Sequence, residues 1–411
     1  MNKKRILIAL YYDYHLFGYF LHLIPILIQQ GFRVDMITCC PDVHTKYQSL
    51  ANSTCFNIYY KPLLRPLIRL IEHPIFRPLI WIYGWLWSGF TVRGYDAVIV
   101  PRDGRPFQHM VSAWKPSLVC QPGLGNDEKR YLIHKYKETI PFPVPRINTL
   151  RPWTDRIFGG SYHRVVRGPE NLKYYTVTGE DFKEYYSRLG IPEQNIFITG
   201  NPNYEHLIHS ALQAPLGHDD LMEFGIEINK NDKAFVFFSS HLSFSEQQLA
   251  TLKTYIESLE KYYGDLSFIL KIHPRMTVEA KNELITWAQT FSRANIHILS
   301  ELKGDENNMK LIQFCEATCV ESSNVGVLAA WLEKPLLVID LDQKGYDVDN
   351  LFCLFDGVLD IRNLDEIEER LSRAKMPQVI EAQNNMVNHI SKKLESPNQK
   401  IVDVLNSILD P

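Results

Sequence analysis

The chain alternates short apolar segments with amphipathic helical segments through most of its 411 residues. It begins with an apolar segment at 6–10, a helical stretch over 19–30 and a second apolar segment at 32–39, with Gly31 placed where a helix is expected to end. Strand, helix, glycine and strand in this order are typical of a parallel βαβ unit. The pattern therefore predicts an α/β fold built on parallel sheets.

The same pattern starts again after a polar stretch at 211–232, which is rich in acidic residues. The predicted strands are 6–10, 32–39, 97–100, 117–120, 174–178 and 195–199 before it, and 234–238, 267–272, 295–299, 317–320 and 335–339 after it. The length is too great for one ordinary domain and fits two of about 200 residues. We predict two tandem Rossmann-like domains facing a cleft: 1–210, a linker at 211–232, 233–375, and C-terminal helices at 376–411.

Charge and cysteine content exclude several classes of protein. A formal net charge of −3 gives no basic excess for general binding to nucleic acid. The seven cysteines form no paired CxxC set, so we expect a reduced, cytoplasmic setting, with Cys315 and Cys319 serving as core residues. We expect neither a metal ion nor another cofactor.

One segment, 63–90, is unusually apolar and aromatic. It contains Trp81, Trp85 and Trp87, but arginines and prolines interrupt it, which argues against a membrane-spanning helix. The first apolar segment is also too short for a secretory signal. Two interpretations of 63–90 stay open: a buried helical hairpin, or amphipathic turns that touch the inner face of the cytoplasmic membrane, as a peripheral membrane protein would.

Ligands of parallel sheets bind where strands run out into loops. After the strand at 267–272 come His273, Pro274 and Arg275, with Lys271 near the strand end. An imidazole at this position can donate to a phosphate oxygen or protonate a leaving group, and the two cations raise the positive potential. The alternative is a core histidine with a backbone partner.

A second candidate, Glu321-Ser322-Ser323-Asn324, stands between a predicted strand and a helix that starts near 325. Free backbone N–H groups and the helix dipole favour a phosphate there, and the hydroxyls add donors. Glu321 could accept from ribose hydroxyls, and Gly326 would let the helix approach the sheet or ligand closely. Helix capping alone would also explain this run of residues.

Weaker donor-site candidates follow two other strands. Ser239, Ser240 and His241 come after the strand at 234–238 and offer hydroxyls and a second imidazole. Gly200 and Asn201 end the last strand of the first domain and could either line the cleft or turn the chain.

Candidate bases occur in loops of the first domain. Asp103 follows the strand at 97–100, and Asp127 lies in a glycine-containing loop after the strand at 117–120. Either carboxylate could accept a proton from an attacking hydroxyl, and a surface turn is the alternative for both. Asp13 and His15, in the loop after the first predicted strand, are the third choice for the base.

These features resemble GT-B type glycosyltransferases, with their two Rossmann-like halves and helical tail. The segment 198–202 (Ile-Thr-Gly-Asn-Pro) is similar to the end of their N-terminal domain, and 321–335 looks like their donor-site element. Among them, a His-Pro motif with a Ser-Ser motif resembles bacterial sialyltransferases and capsule Kdo transferases, which use CMP-activated donors. The resemblance implies that His273, Ser322 and Ser323 bind the phosphate of CMP.

Two departures qualify the resemblance. Arg102-Asp103-Gly104 matches only the second acid and the glycine of the family's acid-acid-Gly motif. The CDP-glycerol polymerases also carry His-Pro, but Leu124 stands where their loop has a histidine.

The resulting prediction is an inverting, metal-independent glycosyltransferase that moves a sugar, such as sialic acid or Kdo, from CMP to a glycan or lipid-linked glycan of a capsule or lipopolysaccharide. Asp103 or Asp127 would be the base, with Lys271 and His273 stabilising the leaving phosphate. Three alternatives stay open. They are a UDP-sugar transferase or CDP-glycerol polymerase, a sugar-nucleotide 2-epimerase, for which the sequence shows few cleft carboxylates, and a non-catalytic glycan- or nucleotide-binding subunit.

Overall fold

The protein is described by a computed structural model in two compact units. The described residues are 3–11, 20–54, 56–70, 76–101, 110–112, 114–120, 131–133, 135–136, 173–189, 191–229, 231–273, 276–291, 295–300, 304–321, 323, 325–342, 352, 359–360, 367–373 and 376–410. The first unit draws them from 1–123, 142–205 and 390–411, and the second from 124–141 and 206–389. Each unit contains its own parallel sheet.

The first sheet consists, in the described residues, of β1 Arg5–Leu10, β2 Arg33–Thr38, β3 Asn57–Tyr60, β4 Ala97–Val100, β5 Ser117–Cys120, β6 Lys173–Val177 and β7 Ile196–Ile198. Their order is β3-β2-β1-β4-β5-β6-β7, and every pairing is parallel. The order reverses between β1 and β4, which is a topological switch point of the Rossmann type.

The second sheet consists, over the described part of the chain, of β8 Lys233–Phe238, β9 Leu266–Lys271, β10 Asn295–Leu299, β11 Ala317–Val320, β12 Leu336–Val338 and β13 Leu359–Asp360. Their order is β10-β9-β8-β11-β12-β13, again with parallel pairing throughout. The corresponding switch point lies between β8 and β11.

Helices connect these strands. In the described residues they are α1 Leu23–Gln29, α2 Pro41–Ser53, α3 Leu64–Leu70, α4 Arg77–Val92, α5 Glu180–Arg188, α6 Pro202–Gln213, α7 His218–Glu223, α8 Glu246–Tyr263, α9 Val278–Ala288, α10 Asp305–Phe314, α11 Val325–Trp331, α12 Ile367–Arg373, α13 Pro377–Ile390 and α14 Pro397–Leu409. The last helix returns to the first unit, where Ile401 and Leu405 join β1 and α1 in one apolar core.

A buried carboxylate joins neighbouring elements of the first sheet. Asp35 in β2 has no exposed surface, and its oxygens accept hydrogen bonds from Arg5 at 3.0 Å, Asn57 at 2.8 Å and the Tyr95 hydroxyl at 2.9 Å. The bond to Asp35 is the main cause of a raised pKa of the Arg5 guanidinium. This pairing offsets the cost of burying the charge of Asp35.

The predicted α/β architecture is confirmed, because every predicted strand is present to within one or two residues. Two strands were not predicted. β3 lies at an edge with mostly exposed side chains, and β13 spans two residues. Cys315 and Cys319 are buried as predicted, and burial raises the pKa of both thiols.

The interpretation of 63–90 as a buried hairpin is wrong. This segment forms α3 and α4, and large apolar side chains on α4 are exposed: Leu79 by 69%, Leu86 by 56% and Phe90 by 76%. Among the described residues, no helix combines the length and the apolar content needed to cross a membrane.

Candidate functional site

The second sheet brings the ends of β8 and β11 together. The two strands pair in parallel, with Phe238 opposite Val320, so the residues that follow them leave the same edge of the sheet side by side. Open α/β sheets bind their ligands at this position, outside the carboxyl ends of strands at the switch point. His241 follows β8 and Glu321 follows β11.

His241 and Glu321 are in direct contact. The imidazole Nε2 lies 2.6 Å from the Glu321 Oε2 atom, and the two side chains retain 20% and 14% of their exposure. At this distance the two groups form an ion pair when the imidazole is protonated. The pair is thus largely desolvated, which strengthens its electrostatic interactions, yet solvent still reaches both groups.

Backbone contacts fix the loop that carries His241. The Ser239 hydroxyl accepts a hydrogen bond from the His241 N–H at 3.1 Å, and the Ser239 N–H donates to the Lys271 carbonyl at 3.0 Å. Ser239 itself is 8% exposed. Its hydroxyl therefore shapes the loop.

Gln248, in the first turn of α8, faces the other side of the imidazole. Its amide Nε2 lies 3.5 Å from His241 Nδ1 and donates to Asp342 Oδ1 at 2.5 Å. Its Oε1 accepts from the Ser245 N–H at 2.8 Å, which closes a capping box. A donor amide opposite Nδ1 favours the tautomer with the proton on Nε2, directed at Glu321.

Neither Gln248 nor Asp342 was identified from the sequence. The spacing of Ser245 and Gln248 is that of a capping box, which marks a helix start but carries no sign of the contact with His241. Asp342 follows β12, a third strand end on the same sheet edge. Its proximity depends on strand order, which the sequence does not display.

The predicted Lys271–His273 site lies at the end of the neighbouring strand. Lys271 is the last residue of β9 and is 5% exposed, whereas His273 is half-buried in the following loop, where its carbonyl accepts from the Met276 N–H at 3.0 Å. Pro274 and Arg275 lie outside the described residues. Phosphate binding by His273 stays a prediction.

The start of α11 has the geometry of a helix cap. The Ser323 hydroxyl accepts from the Val325 N–H at 3.4 Å, and the Ser323 carbonyl accepts from the Gly326 N–H at 3.0 Å. A methyl group on Gly326 would come within 2.7 Å of the Phe352 ring. The close approach that Gly326 permits is therefore to Phe352. Ser322 and Asn324 fall outside the described residues.

In the first unit, Gly200 and Asn201 form a turn. Gly200 has φ +76°, and a side chain there would meet the Lys392 carbonyl at 3.1 Å. The Asn201 side chain is 1% exposed and accepts from the Asn203 N–H at 3.0 Å. The turn is packed against the C-terminal segment, and donor binding by these two residues stays a prediction.

The candidate bases Asp103 and Asp127, and the third-ranked Asp13 and His15, lie outside the described residues. Over the part of the chain that is described, no group of three or more His, Cys, Asp and Glu side chains could hold a metal ion.

Comparison with known proteins gives one family match and many similar structures. Residues 173–351 match the family model described as UDP-N-acetylglucosamine 2-epimerase, which is less than half of the chain. No curated protein sequence matches the chain. The matched range contains the whole His241–Glu321 site.

Solved structures of similar architecture include both epimerases and transferases. A UDP-GlcNAc 2-epimerase from Neisseria meningitidis bound to UDP-GlcNAc has a TM-score of 0.63 at 15% identity, covering 98% of this chain and 100% of that one. A glycosyltransferase from Rickettsia africae gives 0.58 at 12% identity and covers 100% of both chains. The calicheamicin glycosyltransferase gives 0.56 at 12%, covering 100% and 99%. At these identities the likeness establishes the fold, which is GT-B.

The prediction of a CMP-sugar transferase for capsule or lipopolysaccharide assembly is wrong. The family match and several similar structures are of UDP-N-acetylglucosamine 2-epimerases, which favours the epimerase alternative. The physical reason is that a histidine after one strand and a serine-capped helix after another form a general anion site in such sheets. These short motifs cannot distinguish one nucleotide from another.

Proposed function

We infer that the protein is an enzyme of the UDP-N-acetylglucosamine 2-epimerase type, acting on a UDP-linked N-acetylhexosamine. The observation that carries this proposal is the His241–Glu321 pair at the switch point of the second sheet, inside the range that matches the epimerase family. A desolvated acid–base pair at such a strand edge has the character of a reaction site as well as a binding site.

The chemistry of the substrate defines what the site must do. The hydrogen on C2 of UDP-GlcNAc has no neighbouring carbonyl, so inversion without an oxidant requires the UDP group on C1 to leave. A base removes the C2 proton, the C2–H electron pair forms a C1=C2 double bond, and the C1–O pair departs with UDP. Protonation of C2 from the opposite face and return of UDP to C1 then give UDP-N-acetylmannosamine.

The departing UDP develops negative charge on its phosphate, and the described strand-end groups suit that charge. His273 supplies an imidazole donor, the start of α11 at Ser323 supplies a positive helix end, and His241 holds the carboxylate of Glu321 in position. We assign the second carboxylate oxygen of Glu321 as the acceptor of a hydrogen bond from a ribose hydroxyl. Gln248 and Asp342 are assigned as positioning residues for the imidazole.

Removal of the C2 proton requires a base. Glu321 and Asp342 both belong to the network around His241, so this edge of the sheet holds more carboxylate than the sequence motifs indicated. Asp103 and Asp127 are our candidates for the base itself, because both follow predicted strand ends.

The proposal is tested by incubating the protein with UDP-GlcNAc and separating the products by anion-exchange chromatography. We expect UDP-N-acetylmannosamine, accompanied by a little free UDP. His241→Ala should lower the rate about a hundredfold or more. Release of UDP without any epimer, in the presence of an acceptor that becomes glycosylated, would overturn the epimerase proposal in favour of transfer.

A further inference from the structure

The exposed face of α4 is apolar along the whole helix. Leu79, Ile82, Tyr83, Leu86 and Phe90 are between 48% and 76% exposed, and their spacing places them on one side of the helix. We call these five residues the α4 face. A contiguous stripe of large apolar side chains is unusual on a protein surface and marks a site of interaction.

The buried side of α4 carries smaller residues on average. Ile80, Gly84, Ser88 and Val92 recur once per turn and are buried. A surface helix normally directs its large apolar residues into the core and its polar residues to solvent. In α4 the outer side is apolar as well as the buried side, so packing within the first unit does not account for the apolar character of the outer face.

A groove adjoins one end of the α4 face. Leu86, Phe90 and Trp114 line it together with the cations Arg93 and Lys115, and its volume is about 400 Å³. The Trp114 ring is 5.1 Å from that of Trp85. The groove thus combines an apolar floor with positive charge, and among the described residues none that lines it is acidic.

The sequence around the α4 face is basic. Between 61 and 93, five residues are Lys or Arg (Lys61, Arg65, Arg69, Arg77 and Arg93) and one, Glu72, is acidic. Lys61, Arg65 and Arg93 are exposed. Since the whole chain has a net charge of −3, this cluster is a local feature. It is complementary to a negatively charged surface.

We propose that the α4 face and its basic surroundings dock the protein on an anionic phospholipid bilayer. Amphipathic helices that lie in the membrane interface combine bulky apolar and aromatic side chains on one side with Lys and Arg. Tyr and Trp favour the headgroup region, where an apolar ring and a polar atom are both accommodated. The apolar floor of the groove suits lipid acyl groups, and the positive charges of Arg93 and Lys115 suit lipid phosphates.

The dimensions of α4 determine how it would lie. Its 16 residues extend about 24 Å, which is shorter than a hydrocarbon core of about 30 Å. The helix therefore rests in the plane of the interface, with Leu79, Leu86 and Phe90 entering the acyl boundary. This proposal is independent of the reaction that the protein catalyses.

The test is cosedimentation of the full chain with vesicles of phosphatidylcholine alone or mixed with phosphatidylglycerol. We expect binding to the mixed vesicles and little binding to pure phosphatidylcholine. Leu86→Glu/Phe90→Glu should reduce binding more than about tenfold. The matched control is Leu212→Glu/Met222→Glu, which adds the same charge at apolar residues that are 57% and 59% exposed elsewhere, and which should bind like the wild type.

A second variant separates charge from apolar contact. Arg93→Gln/Lys115→Gln should weaken binding to the mixed vesicles by about thirtyfold, and added salt should weaken wild-type binding in the same direction. Thermal unfolding of each variant checks that it is folded. Failure of the wild type to sediment with anionic vesicles would overturn the proposal. So would self-association that Leu86→Glu/Phe90→Glu abolishes in the absence of vesicle binding, because the face would then be a protein interface.

Discussion

The Nε2 atom of His241 lies 2.6 Å from the Oε2 atom of Glu321, at the point where the strand order of the second sheet reverses. The two residues are far apart in the sequence and meet only because β8 and β11 are neighbours. This contact couples a histidine to a carboxylate in a partly buried environment, and it is the centre of the proposed UDP-sugar site.

Substitution of either partner should abolish most of the activity without unfolding the protein. We expect His241→Ala and Glu321→Gln each to lower the rate of UDP-GlcNAc epimerisation by about a hundredfold or more, because one removes the imidazole that holds the carboxylate and the other removes the carboxylate itself. Leu242→Ala is the matched control, since Leu242 lies in the same loop and is 52% exposed. Equal losses in all three variants would indicate a general disturbance of the loop.

Gln248 should affect both stability and activity. Gln248→Ala removes half of a capping box and the hydrogen bond to Asp342, so we expect a loss of about 1 kcal/mol in the free energy of unfolding. The same change should lower kcat more than it raises KM, because the imidazole loses its orientation. Urea unfolding and steady-state kinetics measure the two effects. Gln247→Ala, at the exposed neighbouring position, should change neither by a measurable amount.

Gly326 should be intolerant of a side chain. A methyl group there would stand 2.7 Å from the ring of Phe352, which is 1% exposed and has little room to move. We expect Gly326→Ala to lower the free energy of unfolding by about 1–3 kcal/mol. Combining it with Phe352→Leu should be less destabilising than the sum of the two single changes, because the smaller side chain relieves the overlap. Strict additivity in urea unfolding would contradict this contact.

Alkaline pH should weaken the second unit through Tyr263. Burial, with smaller contributions from Tyr262 and Glu316, raises the pKa of Tyr263 to about 12. A raised pKa in the folded state means that the stabilisation is fully present below the unfolded value near 10 and is lost as the pH rises through 12. After allowance for partial exposure the loss is about 1 kcal/mol. Urea unfolding at pH 8 and 11 should show a larger decline for the wild type than for Tyr263→Phe.

The sequence was sufficient to predict the sheets but not the central contact. Strands of a parallel sheet are covered on both faces, so they appear as continuous apolar segments such as the one ending at Phe238. Which strands become neighbours is a property of the chain topology. The sequence therefore indicates His241 and Glu321 only as separate candidates and carries no sign of their pairing.

The exposed side of α4 could not be predicted for a related reason. A helix with apolar residues around most of its circumference has no polar stripe to indicate which side faces solvent. The structure resolves this by burying Gly84 and Ser88 and exposing Leu86 and Phe90. The prediction of the nucleotide is wrong for another reason. The His-Pro and Ser-Ser motifs indicate an anion site but do not determine which nucleotide binds there.

Proton NMR of UDP-GlcNAc incubated with the protein in D₂O follows the hydrogen on C2 directly. Inversion at C2 through loss and return of a proton replaces that hydrogen with deuterium. We expect loss of the H2 signal and the appearance of UDP-N-acetylmannosamine deuterated at C2, with both changes suppressed in His241→Ala. Turnover of UDP-GlcNAc that leaves hydrogen at C2 in every product would contradict this expectation.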